Sequence, residues 1–527
     1  MADIRYIDKD FVRFKFTGSG GQEAQAILAF GDKVDVLQEG SGSTPSRVRA
    51  LELFEGTLEG TVAGKPFRTR EKGVLKFSMV DVQQGDGMVL ETPPDENHET
   101  RLIFIDGGDN KLFARHVAAR YQHRKSSKTS PLEVDLILIT HGDADHFDGL
   151  NDIKRSETEP KLAARKRLFI HPRRVYHNGL VKAPDALPEL EQFGRTVANN
   201  GNHMIVDLHD DPRDAPDNMK NGPFKRWEAA LTHWEERGPI TFKRVAHGMD
   251  PNDLFGFLGP AVKVELQGPF TSRVADGGTE KDALPFLHQP PKSALIHLEE
   301  GSAATSTSVS ASHTINGHSL AFRLSCGNVR FNFTGDLNQE SMAIMRERIG
   351  LDNLEAEIVK APHHGSHEFD FKALKAMRPV VSIISSGDES ARTEHIHPRA
   401  TLVSALGKVS RGETGIVLCT ELAAFFKMRD YSHERPQIAK FYDGDESITR
   451  EDLRKFYGSK PRSADDEKAL PSFFGFERTN FGIIHIRTDG ERVLVFTHSG
   501  KEGMREAYRF TVGTDHSIRF AKDVSTG

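Results

Sequence analysis

The chain has 527 residues, of which 37% are hydrophobic and 28% charged, and its net charge is −6. These values exclude wholesale disorder and a generally cationic nucleic-acid coat, and two cysteines, Cys326 and Cys419, cannot build a disulfide framework or a thiolate zinc finger. The first residues, MADIRYID, lack the apolar stretch of a secretory signal, and no apolar run is long enough to span a bilayer, so we expect a cytoplasmic protein with no membrane role.

Residues 1–72 read as a small β domain. Val34 and Val36 alternate in one strand, a Gly/Ser turn follows at 40–43, and Ser46–Leu51 continues as the next strand. Gly56, Gly60 and Val62 close the segment. The order resembles a bacterial Src-homology-3-like barrel. The resemblance implies a module that binds or positions a protein partner and carries no catalysis.

From residue 74 the texture changes. Runs at 75–82, 101–106, 134–140, 329–334, 355–361 and 380–385 read as buried strands. Asn338–Ile349 and Phe369–Met377 read as amphipathic helices. Strands alternating with helices indicate an α/β layer architecture over 73–527. Two insertions are expected, at about 151–312 and 425–475, the first with Trp227 and Trp234 packing a helix and a low-complexity loop at 301–312. Residues 111–180 hold 14 Lys/Arg against 8 Asp/Glu. That surplus is either a solvated face or a track for a phosphate backbone.

The chemistry concentrates where the strand at 134–140 runs into His141-Gly-Asp143-Ala-Asp145-His146. Four potential ligands within six residues can serve two neighbouring cations, with His141 and Asp143 at one and Asp145 and His146 at the other. Later strands end in similar groups: Thr334-Gly-Asp336, with Asp336 placed to bridge two metals, the pair His363-His364, and His395-Ile-His397-Pro398. In an open α/β sheet such groups collect at one end of the strands, so these loops can converge. Imidazole and carboxylate donors suit zinc or manganese, and the extra oxygen ligand Asp143 tilts the choice towards manganese.

These motifs resemble the metallo-β-lactamase-fold hydrolases, and most closely the soluble hydrolase domain of the ComEC competence-protein family. Asp81–Asp86 (DVQQGD) matches that family's DVGQGD, with Gln83 in place of a glycine. Ile105–Gly108, His141–His146, Asn316–Ser319, Thr334–Asp336, His363–Ser366, His397-Pro398 and Gly482–Gly490 follow in the family's order. The resemblance implies an αββα sandwich with insertions and a metal-dependent phosphodiesterase, most closely a nuclease acting on DNA. The channel and competence regions of that family are absent, so DNA uptake is not implied. The wider superfamily carries a histidine where Asp143 stands and another before the TGD strand, near His318, which we read as a strand-edge histidine, with a metal ligand as the alternative.

Two divalent ions would lower the pKa of a shared water and clamp the displacement, making a metal-bridging hydroxide the nucleophile. Asp145 would orient it and take its proton. One of His363 and His364 completes the second site, with His364 favoured as ligand and His363 as a phosphate contact. His397 would contact the phosphate or protonate the leaving oxygen. Lys360 and Ser366 are weaker phosphate contacts, and Asp81, Asp86 and Asp106 are expected to order loops. Hydrolysis of a smaller phosphodiester, under a roof made by the first insertion, is the alternative to a nucleic-acid substrate. A non-catalytic metal-binding scaffold is a third reading.

Overall fold

Strands that are apolar on both faces must be covered on both faces, and the burial along Leu75–Met79, Gly87–Glu91 and Leu102–Asp106 is complete at every residue. In the computed structural model the described residues are 2–18, 20–53, 56–68, 73–289, 308–387, 397–412, 415–422, 479–480, 482–498, 506–522 and 524. The expected insertion at 425–475, His395 and residues 301–307 of the low-complexity loop lie outside them.

Two large sheets meet face to face. The first has ten strands, in the order Thr241–Arg244, Arg174–His177, Leu136–Leu138, Leu102–Asp106, Gly87–Glu91, Leu75–Met79, Ile483–Thr488, Arg492–His498, Ala507–Val512 and Ile518–Phe520. Its leading four strands run parallel and the rest antiparallel. The second has six strands, in the order Val262–Gly268, Ala321–Cys326, Val329–Phe333, Ile358–Lys360, Val381–Ile384 and Ile416–Cys419. Its last three pairings are parallel.

Side chains alternate between the two faces of a strand. Ile103 and Ile105 therefore join the core between the sheets, with Phe77, Phe331, Phe333 and Ile383. Leu102 and Phe104 turn outwards, under the helices Leu112–Arg120, Ala144–Thr158 and Gly222–Glu235. Val359 and Ile384 turn outwards on the other sheet, under Gln339–Ile349, Phe371–Met377 and Ala400–Val409. The molecule is an αββα sandwich.

The stretch 151–312 is less of an insertion than its polar texture suggests. Arg174–His177 and Thr241–Arg244 are strands of the first sheet, Val262–Gly268 is a strand of the second, and Gly222–Glu235 covers the outer face with Trp227 and Trp234 buried. The four-residue strands Arg174–His177 and Thr241–Arg244 hide in such a segment because they are too short to show a period. What stands apart is a four-stranded sheet drawn from Thr196–Asn199, Asn202–Ile205, Ser272–Asp276 and Thr279–Pro285.

The N-terminal strands form their own seven-stranded antiparallel sheet, from Ile4–Ile7 to Phe67–Arg68. It docks at the end of the first sheet where Leu75–Met79 begins and the antiparallel Ile483–Thr488 finishes. Lys76 Nζ lies 2.5 Å from Glu52 Oε2, and Arg487 Nη1 lies 2.7 Å from Asp32 Oδ1. Phe11 packs edge-on to Phe496 at 5.2 Å. This sheet is therefore at the opposite ends of the strands from the loops described next.

Candidate metal centre

The ligand-bearing loops of both sheets leave from the same edge. Asp86 follows Leu75–Met79, Asp106 closes Leu102–Asp106, and His141–His146 link Leu136–Leu138 to the helix Ala144–Thr158. From the second sheet, Asp336 follows Val329–Phe333 and the histidine pair follows Ile358–Lys360. Ser385 Oγ donates to the Gly85 carbonyl at 2.7 Å and so ties loops of the two sheets together.

The loops need unusual backbone. Gly85 has φ +94°, and a Cβ there would lie 1.7 Å from the Asp145 carbonyl oxygen. His363 and His364, at φ 45° and 50°, sit in the left-handed region that non-glycine residues rarely occupy. Gln83 does the same, at φ 67°, at the position where the resembling family has glycine. Holding these residues there costs energy that the packed loops must offset.

Four buried residues converge, with one donor atom each from Asp86, His146, Asp336 and His364 mutually within 4.8 Å. Asp336 Oδ2 lies 3.2 Å from His146 Nε2 and 2.9 Å from His364 Nε2, and the two Nε2 atoms are 3.2 Å apart. Each ring is oriented from behind. His146 Nδ1 donates to Asp106 Oδ2 at 2.9 Å, and His364 Nδ1 lies 3.2 Å from Asp86 Oδ1. His146 spends its Nδ1–H on Asp106 and His364 Nδ1 faces Asp86 without a hydrogen bond, so each imidazole, once its Nε2 is deprotonated, turns that lone pair to the centre. Three acceptors pressed together repel unless a cation sits among them, so this set fits a divalent ion.

The electrostatics show how strongly this centre gathers positive charge. Burial works against a charged imidazole at His146 and His364, yet Asp336, with Asp106 and Asp86, raises both well above the ordinary range, so without a metal both rings carry protons that a divalent ion would replace. Burial and the neighbouring His146 push His141 well below it. His141 is thus neutral, and its buried Nε2 has no partner. Its ring lies 4.0 Å from that of His146, while Ser319 Oγ and Thr140 Oγ1 approach its Nδ1 at 3.3 Å.

Other expected site residues fall into two groups. Asp145 is at the edge of the cluster, its Oδ2 3.5 Å from His364 Nε2 and 3.4 Å from Gln84 Nε2. His363 Nε2 lies 3.9 Å from Asp336 and accepts from Asn316 Nδ2 at 3.3 Å. The His397 ring is 5.9 Å from His363 and 6.5 Å from His364. Asp143 is not brought into the cluster: its Oδ1 accepts from Lys182 Nζ at 2.8 Å. His318 donates from Nε2 to the Pro285 carbonyl at 2.7 Å, as a strand-edge histidine would.

Lys360 is not placed to touch a substrate. It is fully buried, with Nζ 2.5 Å from Asp86 Oδ2 and 3.4 Å from Asp336 Oδ1, and it donates to the Gly335 carbonyl. Ser366 is buried too, and its Oγ accepts from the Glu368 amide. Asp86 does more than order a loop, since it links Lys360 to His364. Lys182 was not foreseen as a site residue. Its signal is a single lysine inside the apolar run Leu180-Val181-Lys182-Ala183.

The ring behind each ligand should matter measurably. In an Asp106→Asn variant His146 loses its anionic partner, and affinity for manganese should fall about 10–100-fold with the fold intact. Metal titration watched by calorimetry checks this.

A family model described as Metallo-beta-lactamase superfamily matches residues 88–386, more than half of the chain. A search of curated proteins gives no match. Among solved structures, a Thermotoga maritima protein described as a Zn-dependent hydrolase of that superfamily is 9% identical, covering 65% of this chain and 97% of its own, with a TM-score of 0.22. With its αββα layers and its buried His/Asp cluster at the shared strand ends, the chain belongs to the metallo-β-lactamase superfamily and is a metal-dependent hydrolase of that fold.

Proposed function

We propose that the protein is a phosphodiesterase of the ComEC-like type, acting on nucleic acid with manganese or zinc. The observation that carries this reading is the convergence of Asp336, His146 and His364 beside Asp145, with the two further histidines His363 and His397 on the same rim. An acyl substrate needs one site for its developing oxyanion. A phosphodiester carries charge already and gains from several cationic or N–H groups around it.

Bound divalent ions would supply a water of lowered pKa and charge neutralisation for the phosphate. His146, Asp336 and His364 would hold an ion, and the buried Nε2 of His141, which has no hydrogen-bond partner, would assist. Asp145 is the most exposed of the clustered carboxylates, at 23%, and is positioned to orient an incoming water. His363 is held by Asn316 at the rim, where its ring can meet a phosphate oxygen. His397 lies one ring further out and can deliver a proton to the leaving oxygen.

One observation favours a smaller ester. The segment carrying Lys182 reaches across to Asp143, so part of 151–312 lies against the site. The basic residues offer no counterweight. Arg165 and Lys166 come after the far end of the helix Ala144–Thr158, whose 15 residues span about 22 Å at 1.5 Å per residue. The N-terminal sheet, docked away from the site, suits a module for a protein partner.

The test is hydrolysis of bis(p-nitrophenyl) phosphate and of single-stranded and plasmid DNA, by protein stripped with a chelator and reloaded with manganese or zinc. Stripping should abolish turnover and reloading restore it. Cleavage of the small diester alone selects the second reading. No cleavage of either substrate by metal-loaded protein rejects both and leaves a scaffold.

A further inference from the structure

The fold brings a lysine to Asp143, one of the expected ligands outside the cluster. Leu180, Val181 and Ala183 are buried, so the backbone of that segment is pinned and the Lys182 side chain alone reaches the site. Its Nζ lies 2.8 Å from Asp143 Oδ1, and only 17% and 19% of the two side chains are exposed. Two residues before Asp143, His141 has a buried Nε2 without a hydrogen-bond partner, and its ring lies 4.0 Å from that of His146.

Charge decides how the two sides differ. Five carboxylates (Asp86, Asp106, Asp143, Asp145 and Asp336) face two ammonium groups, Lys182 and Lys360. With neutral imidazoles the pocket stands at −3. One divalent ion leaves −1, and it enters between His146 Nε2, His364 Nε2 and Asp336 Oδ2, while Lys360 is held by Asp86 and by the other oxygen of Asp336 and need not be displaced. A second ion takes the pocket to +1. It must also enter where a full positive charge already holds Asp143 Oδ1, and like charges a few ångströms apart in a half-buried site repel strongly.

We propose that Lys182 is an internal competitor for the second cation, so the two positions of the centre are unequal. One divalent ion binds firmly at His146, Asp336 and His364. The position between His141 and Asp143 fills only by displacing the Lys182 ammonium. The inference rests on the metal chemistry of the superfamily and not on which ester is cleaved.

Metal uptake tests it without reference to turnover. The full chain, stripped of metal, is titrated with manganese and followed by calorimetry and by electron paramagnetic resonance, which separates isolated from spin-coupled ions. The wild type should take one ion firmly and a second at least about tenfold more weakly. Lys182→Met should strengthen the second step about tenfold or more, as expected for removing a like charge beside the incoming ion, and leave the first step unchanged. Lys182→Arg, which keeps the charge, should behave as the wild type. A wild type that never takes a second ion supports the proposal if Lys182→Met takes one. Two equal steps in the wild type overturn it, as does an unmoved second step in Lys182→Met or a second ion missing from both. If Lys182→Met loses the first step through misfolding, Lys182→Gln replaces it with the same expectations. The phosphodiester assays can fail while these titrations succeed, so the two ideas fall separately.

Discussion

Replacing Asp336 with alanine should lower kcat/KM by about four orders of magnitude, equivalent to ~5.5 kcal/mol of transition-state stabilisation. Its Oδ2 is the atom closest to both central imidazole nitrogens, at 3.2 and 2.9 Å. It also joins the two halves of the sandwich, since His146 belongs to the first sheet's loops and His364 to the second's. Without it, two Nε2 atoms 3.2 Å apart have no anion between them to draw a cation in. Metal content measured by elemental analysis should therefore fall together with activity. A variant that kept its metal and lost less than tenfold in rate would remove Asp336 from the centre.

The second large effect is on stability. Lys360 is fully buried between Asp86 and Asp336, and methionine has a similar length without the charge. Lys360→Met leaves two buried carboxylates with one fewer compensating charge. Breaking a buried pair in this way costs about 3–5 kcal/mol, far more than the pair contributes as a whole over apolar replacements. The loss should be full in chelator and smaller with manganese bound, because the ion restores part of the missing positive charge. Urea unfolding of wild type and variant in both conditions measures the difference. A loss below ~1 kcal/mol in chelator would show that Lys360 does not hold the carboxylates in place.

The position of the metal loop was readable because its candidate donors are local, although His146 alone of the four joins the buried cluster. A strand that runs straight into His141-Gly-Asp143-Ala-Asp145-His146 announces its chemistry by spacing alone. The strand ends at Asp336 and His363-His364 were readable once alternation had marked the strands before them. Arg174–His177 was not, because four residues are too few to show a period and their burial depends on strands and helices distant in the chain, whereas Val262–Gly268 does alternate at Val262, Val264 and Leu266 but sits in a polar stretch.

The order of the ligand-bearing loops, the donor chemistry and the layered α/β class were determined by the amino-acid sequence itself, since each depends on residues within a few positions of one another. Which groups share the cation was decided only by the tertiary structure. Asp86 and Asp106 became supports behind His364 and His146, Lys360 became a buried counter-charge, and Asp143 was claimed by a lysine from another segment. Pair energies between charges depend on distance and burial, and both are set by the way the two sheets close on each other.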